Sequence, residues 1–204
     1  MEYDWDPEKD AENRRKHRLS LADGIAALED PNSESWIDDR FDYGEERLIT
    51  LGRVNAEILL VVTVELSLES IRIVSVRKAE NMKNAGTTKV TRKPGDKPVA
   101  TGTDWAVVAA MSEEEVHAAA LADPDALPLA DSDFRRMTKL VNVKKLRERL
   151  GQTQEAFAAT YRIPLGTLRD WEQRRKQPDA PARAYLMVIA RDPAAIAALL
   201  REAA

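Results

Sequence analysis

The chain has 204 residues with 31 Lys/Arg against 35 Asp/Glu, no cysteine, and two widely separated histidines, His17 and His117. That length can hold two small domains, while the missing cysteines exclude a disulfide framework, a thiolate metal site and a cysteine nucleophile, so neither metal nor cofactor is expected. No run approaches the roughly eighteen apolar residues of a membrane span, and Met1-Glu2-Tyr3-Asp4 lacks the basic and apolar blocks of a secretory signal, so a cytoplasmic protein is expected.

In chain order, Tyr3-Asp4-Trp5 reads as a short strand. Asp6-Pro7 supplies a helix cap with proline at the first helical position, opening a polar helix to about Arg18. Ser20 caps a second helix through Leu28, stopped before Pro31. From Glu46 the β-formers take over in Arg47 to Val54, Ile58 to Val64 and Ile71 to Val76, which predicts an antiparallel meander in a small α+β domain. Asn84 to Asp104 has almost no apolar periodicity and reads as an exposed linker or disordered arm. Ser112 and Glu115 form a capping-box pattern that opens an alanine-rich helix to about Leu121. A Pro/Asp-rich stretch, Asp123 to Asp133, follows. The remainder predicts helices only: Val143 to Leu150, Thr153 to about Tyr161, Leu165 to Arg175, Ala180 to Arg191 and Pro193 to Glu202, with Val143, Leu146, Leu150, Leu168, Trp171, Leu186 and Ile189 at core spacing.

Charge is segregated. Residues 1 to 81 carry 11 Lys/Arg against 19 Asp/Glu, and residues 137 to 204 carry 13 against 7. A basic segment is the footprint of a duplex-binding surface, although a helical bundle with a solvated basic face has the same composition. More specific is the order of Gly151 closing a helix, Thr153-Gln154-Glu155 opening the next, small Ala158 at the crossing, Ile163-Pro164 in a tight turn, and Leu165-Gly166-Thr167-Leu168-Arg169-Asp170-Trp171-Glu172 after it. This resembles the Cro/C1-type (XRE) helix-turn-helix family over the last third of the chain. The resemblance implies that the helix after the turn enters the major groove. It makes Gln154 a phosphate contact, directs Leu165, Gly166, Arg169 and Asp170 toward base edges, and puts Thr167 and Arg175 near phosphates. The Arg169 fork suits guanine O6 and N7. Where that family has glycine after this helix, Gln173 is followed by Arg174 and Arg175, so the helix is expected to continue to Arg175, because a left-handed cap disfavours a non-glycine residue.

The N-terminal part carries Trp5-Asp6-Pro7, Lys9, Asn13, Lys16 and His17, a Ser20-capped helix, Asp30-Pro31, Gly44-Glu45-Glu46-Arg47 and Ile71-Arg72-Ile73-Val74-Ser75-Val76-Arg77-Lys78-Ala79. In that order these motifs resemble the BrnT family of toxins over residues 2 to about 80, which implies a RelE-like fold and metal-independent endoribonuclease activity that inhibits translation. Such cleavage needs a base for the ribose 2′-OH, cations on the scissile phosphate and an acid for the leaving oxygen. His17 and Glu65 are the candidates for proton transfer, and Arg47, Arg72 and Arg77 for the phosphate clamp. Arg72 and Arg77 fall on opposite faces of a regular strand. Arg14-Arg15-Lys16-His17-Arg18 would equally offset a helix dipole, and Glu65 and Arg47 would equally serve as solvated surface groups. Arg18 stands where the family favours glycine, and Met82 looks like an internal initiator.

Together the resemblances imply a type II toxin-antitoxin pair in one polypeptide. A BrnT-like toxin domain would span 1–81, a linker 82–110, a toxin-neutralising acidic segment 111–137, and a helix-turn-helix 138–204 that binds operator DNA as a homodimer and represses transcription of its own operon. RNA is the expected substrate of the toxin domain. The rival reading is a ribonuclease whose helical domain is only an inhibitor or protein-binding module, and a third makes the N-terminal domain a non-catalytic dimerisation scaffold.

Overall fold

The structure, a computed structural model, describes residues 1–80 and 101–202. The expected linker residues up to 100, with Met82, lie outside the described residues. The chain divides into two compact units. One comprises residues 3–64 with 72–138, and the other residues 1–2, 65–71 and 139–204.

In the first unit, β1 (Glu2–Asp4) leads to α1 (Pro7–His17), where Asp6 caps by accepting from the Glu8 N–H at 2.8 Å. Acidic Glu8 and Asp10 occupy the first turn of α1 and basic Arg14 to His17 the last, the order that complements the helix dipole. Arg18 closes it in the left-handed conformation, φ 60°, so arginine adopts the backbone that glycine would otherwise supply. Helix α2 (Asp23–Glu29) starts two residues later than a cap at Ser20 predicts. The Ser20 Oγ accepts from Ala22 N–H while the Ser20 N–H donates to Asp23 Oδ2 at 2.8 Å, making a turn ahead of the helix.

Strands β2 (Glu34–Asp38), β3 (Arg47–Val54), β4 (Glu57–Ser67) and β5 (Ser70–Lys78) complete the meander, β2 having given no alternating signal strong enough to be expected. Strand order is β1-β5-β4-β3-β2, with the two-residue β6 (Thr138–Lys139) on the far edge. Asn55, φ 56°, occupies the two-residue turn between β3 and β4, as asparagine does in tight hairpins. Antiparallel register aligns Trp36 with Ile49 and Ile49 with Val62. These three residues and Leu60 form one core with Ala126, Leu129 and Met137, and Phe134 meets Trp36 edge-on at 4.8 Å. A second core gathers Leu59, Val61, Ile73 and Val76 against Leu19, Leu21, Ala27 and Leu28. Gly52 permits that packing, because a Cβ there would run into the Ala27 backbone of α2.

Helix α3 (Trp105–Ala110) corrects the linker expectation for its last residues: Asp104 caps it, and Val108 is fully buried in the second core. Thr101 and Thr103 both donate to the buried carboxylate of Asp23, fastening the chain on this side. Helix α4 (Glu113–Leu121) opens with the expected reciprocal capping box of Ser112 and Glu115. Helix α5 (Asp131–Arg136) begins in the Pro/Asp-rich stretch and runs past its end at Asp133.

The second unit contains α6 (Val143–Arg149), α7 (Gln154–Thr160), α8 (Leu165–Glu172), α9 (Ala180–Arg191) and α10 (Pro193–Glu202). Val143, Leu146, Phe157, Ala158, Leu168, Leu186 and Ile189 enclose its core, with Trp171 packed alongside. Three successive helix ends use one closure, in which the sixth residue's N–H returns to the first residue's carbonyl: Gln152 to Arg147, Ile163 to Ala158 and Arg175 to Asp170. The left-handed residues are Gly151, Arg162 and Arg174, with φ of 64°, 53° and 56°. Helix α8 therefore stops at Glu172 instead of reaching Arg175, since two closing hydrogen bonds, Arg174 N–H to Trp171 O and Arg175 N–H to Asp170 O, offset the left-handed strain.

Candidate active site and nucleic-acid interface

On α1, positions 9, 13, 16 and 17 follow the i, i+4, i+7, i+8 spacing that makes one helical stripe. That stripe bears Lys9, Asn13, Lys16 and His17 beside the end of β5. Asn13 is the fixture: its amide donates to Leu19 O and Val76 O at 2.8 Å and accepts from the Val76 N–H at 3.0 Å, holding α1 to the strand. His17 is 2% exposed. Its Nε2 lies 3.0 Å from Asp123 Oδ2, which also accepts from the Ser75 hydroxyl at 2.7 Å.

The residues after α4 thus lie directly on this cluster. Burial pushes the Asp123 carboxyl up, but the hydrogen bonds from His17 and Ser75 outweigh it and hold it at about 2. Two residues on, Asp125 takes an ion pair from Lys9 and another from Arg47 Nη1 at 3.1 Å. Arg47 also stacks over the Tyr43 ring, 4.4 Å to its centroid. Lys16 lies between Glu12, at 2.7 Å, and Asp123 Oδ1, at 3.7 Å. A shallow depression beside the cluster is lined by Lys9, Asn13, Lys16, Asp123 and Asp125. The covering segment continues with Arg77 Nη2 donating to Leu127 O at 3.4 Å and Arg40 Nη1 to Pro128 O at 3.1 Å.

Of the five residues expected in a catalytic site, the structure brings together His17, Arg47 and Arg77 around residues 123–127. Arg72 is exposed and pairs with Asp4 at 2.7 Å, which employs it as a strand-to-strand tie away from the cluster. Glu65 belongs to the other unit, where it accepts from Arg183 at 3.0 Å. Ser75, Asp123 and Asp125 were missed. Ser75 had a signal in its i, i+2 relation to Arg77 along β5, whereas nothing local marks Asp123 and Asp125 as partners of His17 and Arg47, 106 and 78 positions away.

In the helical unit, the predicted DNA-contacting residues gather on α7 and α8. Gln154 donates to Glu172 Oε2 at 2.9 Å, and Glu172 is itself gripped by Arg147 through two bonds of 2.6 and 2.9 Å. Burial pushes the Glu172 carboxyl up, but its Arg147 and Gln154 hydrogen bonds bring it below the usual range. Arg169 is half-exposed, paired with Glu155 at 2.9 Å. Gly166 is exposed, and a Cβ there would meet nothing within 4 Å. Leu165, Thr167 and Asp170 are partly exposed, Arg175 is exposed just past the helix, and Leu168 is fully buried beneath them.

Among the described residues, no helix is long and apolar enough to cross a membrane, and no group of three or more acidic or histidine side chains is arranged to hold a metal ion.

The family model for BrnT, described as a ribonuclease toxin of type II toxin-antitoxin systems, matches residues 5–82. Among solved structures the chain is similar to an HTH XRE-family like protein from Agrobacterium tumefaciens, at 62% identity over 28% of this chain and 94% of that one, with a TM-score of 0.28. It is also similar to the ribonuclease toxin BrnT of Brucella abortus, at 25% identity over 40% of this chain and 99% of that one, with a TM-score of 0.31. No curated protein matches the chain.

Proposed function

We propose that the chain carries a BrnT-like toxin domain, where the model for ribonuclease toxins of type II toxin-antitoxin systems matches residues 5–82, closed by its own segment 111–137, together with a helix-turn-helix at 138–204 that binds operator DNA and represses its own promoter. For the toxin, the supporting observation is the placement of Asp123 on His17 and Ser75. With that carboxylate withdrawn, the imidazole Nε2 and the serine hydroxyl converge on one point, where a phosphate oxygen would receive both. His17 would move the proton and Lys16 and Arg77 would supply positive charge, a chemistry that needs no metal.

For DNA binding, the carrying observation is α8 itself. Its buried Leu168 anchors a helix whose other side offers Gly166, Thr167 and Arg169, with Leu165 half-buried at the edge of the core, and the bare Gly166 allows close approach of a groove floor. Gln154 at the start of α7 is held in place for a phosphate by the Arg147 and Glu172 pair. A repressor of this kind presents two recognition helices to half-sites about one helical turn apart, hence a homodimer. The reading in which the helical unit serves only to inhibit the toxin is disfavoured by the position of the contacts made on His17, Arg47, Arg77 and Arg40, which come from residues 123–128. Gel shift on the upstream promoter tests the proposal: specific binding that is lost on Arg169→Ala supports it, and no binding at low salt overturns it.

A further inference from the structure

Asp123 and Asp125 are separated by one residue, and each meets a different set of donors: His17 and Ser75 for the first, Lys9 and Arg47 for the second. Two anions at successive places along an extended cationic track is the pattern of a nucleic-acid backbone, not of an isolated ion pair. An independent observation comes from Arg77. It is 1% exposed, and its Nε has no hydrogen-bond partner among the described residues. Its other contacts are long, 3.4 Å to Lys78 O, 3.4 Å to Leu127 O and 3.7 Å to Glu80. A guanidinium offers five donors in a fixed fork, so burying one this poorly matched is costly unless it has another anion to serve. Asp123 cannot serve it. One of its oxygens is taken by His17 and Ser75, and the other by the Asp125 N–H and Lys16. A tetrahedral phosphate has an oxygen to spare where a planar carboxylate has none.

We propose that residues 123–127 are a decoy for RNA, with Asp123 at the position of the phosphate handled by His17 and Ser75, Asp125 at the neighbouring phosphate, and Arg77 held beneath Leu127 for the phosphate oxygen that Asp123 lacks. This rests on the nuclease reading of the same site and adds the register of the ligand: two consecutive phosphates, bound competitively with the chain's own segment. Glu12, which pairs with Lys16, Glu45, which pairs with Arg47 at 3.2 Å, and Glu80, beside Arg77, are further carboxylates at the site. They remain to repel a polyanion when the decoy is neutralised, so the gain in affinity is finite.

The test uses the full chain and two probes, uridine 3′-monophosphate and a short 2′-O-methyl oligouridylate that cannot be cleaved. Asp123→Asn is expected to raise affinity for both probes. Asp125→Asn, at a partly exposed residue with little risk to folding, should raise it only for the oligonucleotide. The double variant should bind the oligonucleotide about tenfold or more tightly than the wild type, equivalent to ~1.4 kcal/mol. Adding Arg77→Lys to the double variant should abolish that gain. A double variant with native circular dichroism and no gain overturns the proposal, as does Asp125→Asn strengthening the mononucleotide as much as Asp123→Asn does. Unmodified RNA separates the two readings. A double variant that binds the oligonucleotide but leaves RNA intact supports the decoy and overturns the nuclease. A wild type that cuts RNA as fast as the double variant supports the nuclease and overturns the decoy.

Discussion

Asp123 and His17, 106 positions apart in the chain, meet at 3.0 Å in a site where both are almost wholly buried. A buried carboxylate is stable only when hydrogen-bonded and charge-compensated, and this one has the imidazole, the Ser75 hydroxyl, the Asp125 N–H and Lys16 to compensate it. The contact is therefore a structural fastening and, in the proposed function, also an obstruction, and substitutions separate the two roles.

Asp123→Asn keeps the shape of the side chain and removes its charge. Loss of a charged hydrogen-bond acceptor at this burial should lower unfolding stability by about 1–3 kcal/mol, read as a lower urea midpoint at unchanged slope. If the midpoint is unaffected, the carboxylate does not hold the segment in place.

Acid should weaken the same contact in a defined window. The folded pKa of Asp123, about 2, lies below the unfolded value near 3.9. Its contribution is thus complete above about pH 4 and is lost as pH falls through about 2; the magnitude is roughly 2 kcal/mol. Chemical unfolding of wild type and Asp123→Asn across this range should show the two curves converging toward the acid end. Curves that stay parallel would remove Asp123 as the source.

Gly52→Ala should be severely destabilising. The added Cβ would collide with the Ala27 backbone of α2, which cannot rotate aside as a flexible side chain can. A loss of about 3 kcal/mol or more, or failure to fold, is expected. Thermal melting near wild type would mean that α2 does not pack on β3 in this manner.

At Arg174 and Arg162 the sign reverses. Each holds a left-handed backbone without glycine's freedom, so Arg174→Gly or Arg162→Gly should stabilise the helical unit by about 0.5–1 kcal/mol, the left-handed strain exceeding the added unfolded-state entropy. Melting of each variant decides it, a fall in midpoint contradicting the strain argument.

Arg169 is paired with Glu155 across the exposed edge of α7 and α8, and such a pair contributes only about 0–1 kcal/mol. Glu155→Gln should leave folding almost unchanged while raising affinity for duplex DNA severalfold, because it removes an anion from beside the phosphates and releases the arginine fork. Anisotropy titrations at two salt concentrations measure both affinity and salt slope. Unaltered affinity would place Arg169 outside the contact surface.

Much of the fold was legible because its signals are local. Asp6-Pro7 opened α1, the Ser112 and Glu115 box opened α4, and the apolar spacing around Leu146, Leu168 and Leu186 marked a core that the structure fills. Strand β2 was not legible, since Glu34–Asp38 contains two acidic residues and shows its apolar side only through Trp36 packing on Ile49 and Leu60. Helix α8 misled in the opposite direction. Its continuation to Arg175 was a fair expectation from glycine preference, but it ignored the two closing hydrogen bonds that make Arg174 tolerable. The candidate site was half legible, because the α1 stripe is a helical periodicity while its partners Asp123 and Asp125 arrive by tertiary folding alone.

Thr101 and Thr103 grip Asp23 just before α3 begins, and Asp123 reaches His17 after α4 ends, so the covering segment is tethered on the same unit that it covers. Such a tether turns closure into an intramolecular equilibrium, whose position does not depend on how much protein a cell contains. If the segment is the inhibitor proposed above, inhibitor and target are made in a ratio of one to one by every round of translation. Neither dilution nor faster turnover of a separate partner can shift that ratio, and opening the site requires a change within the molecule itself.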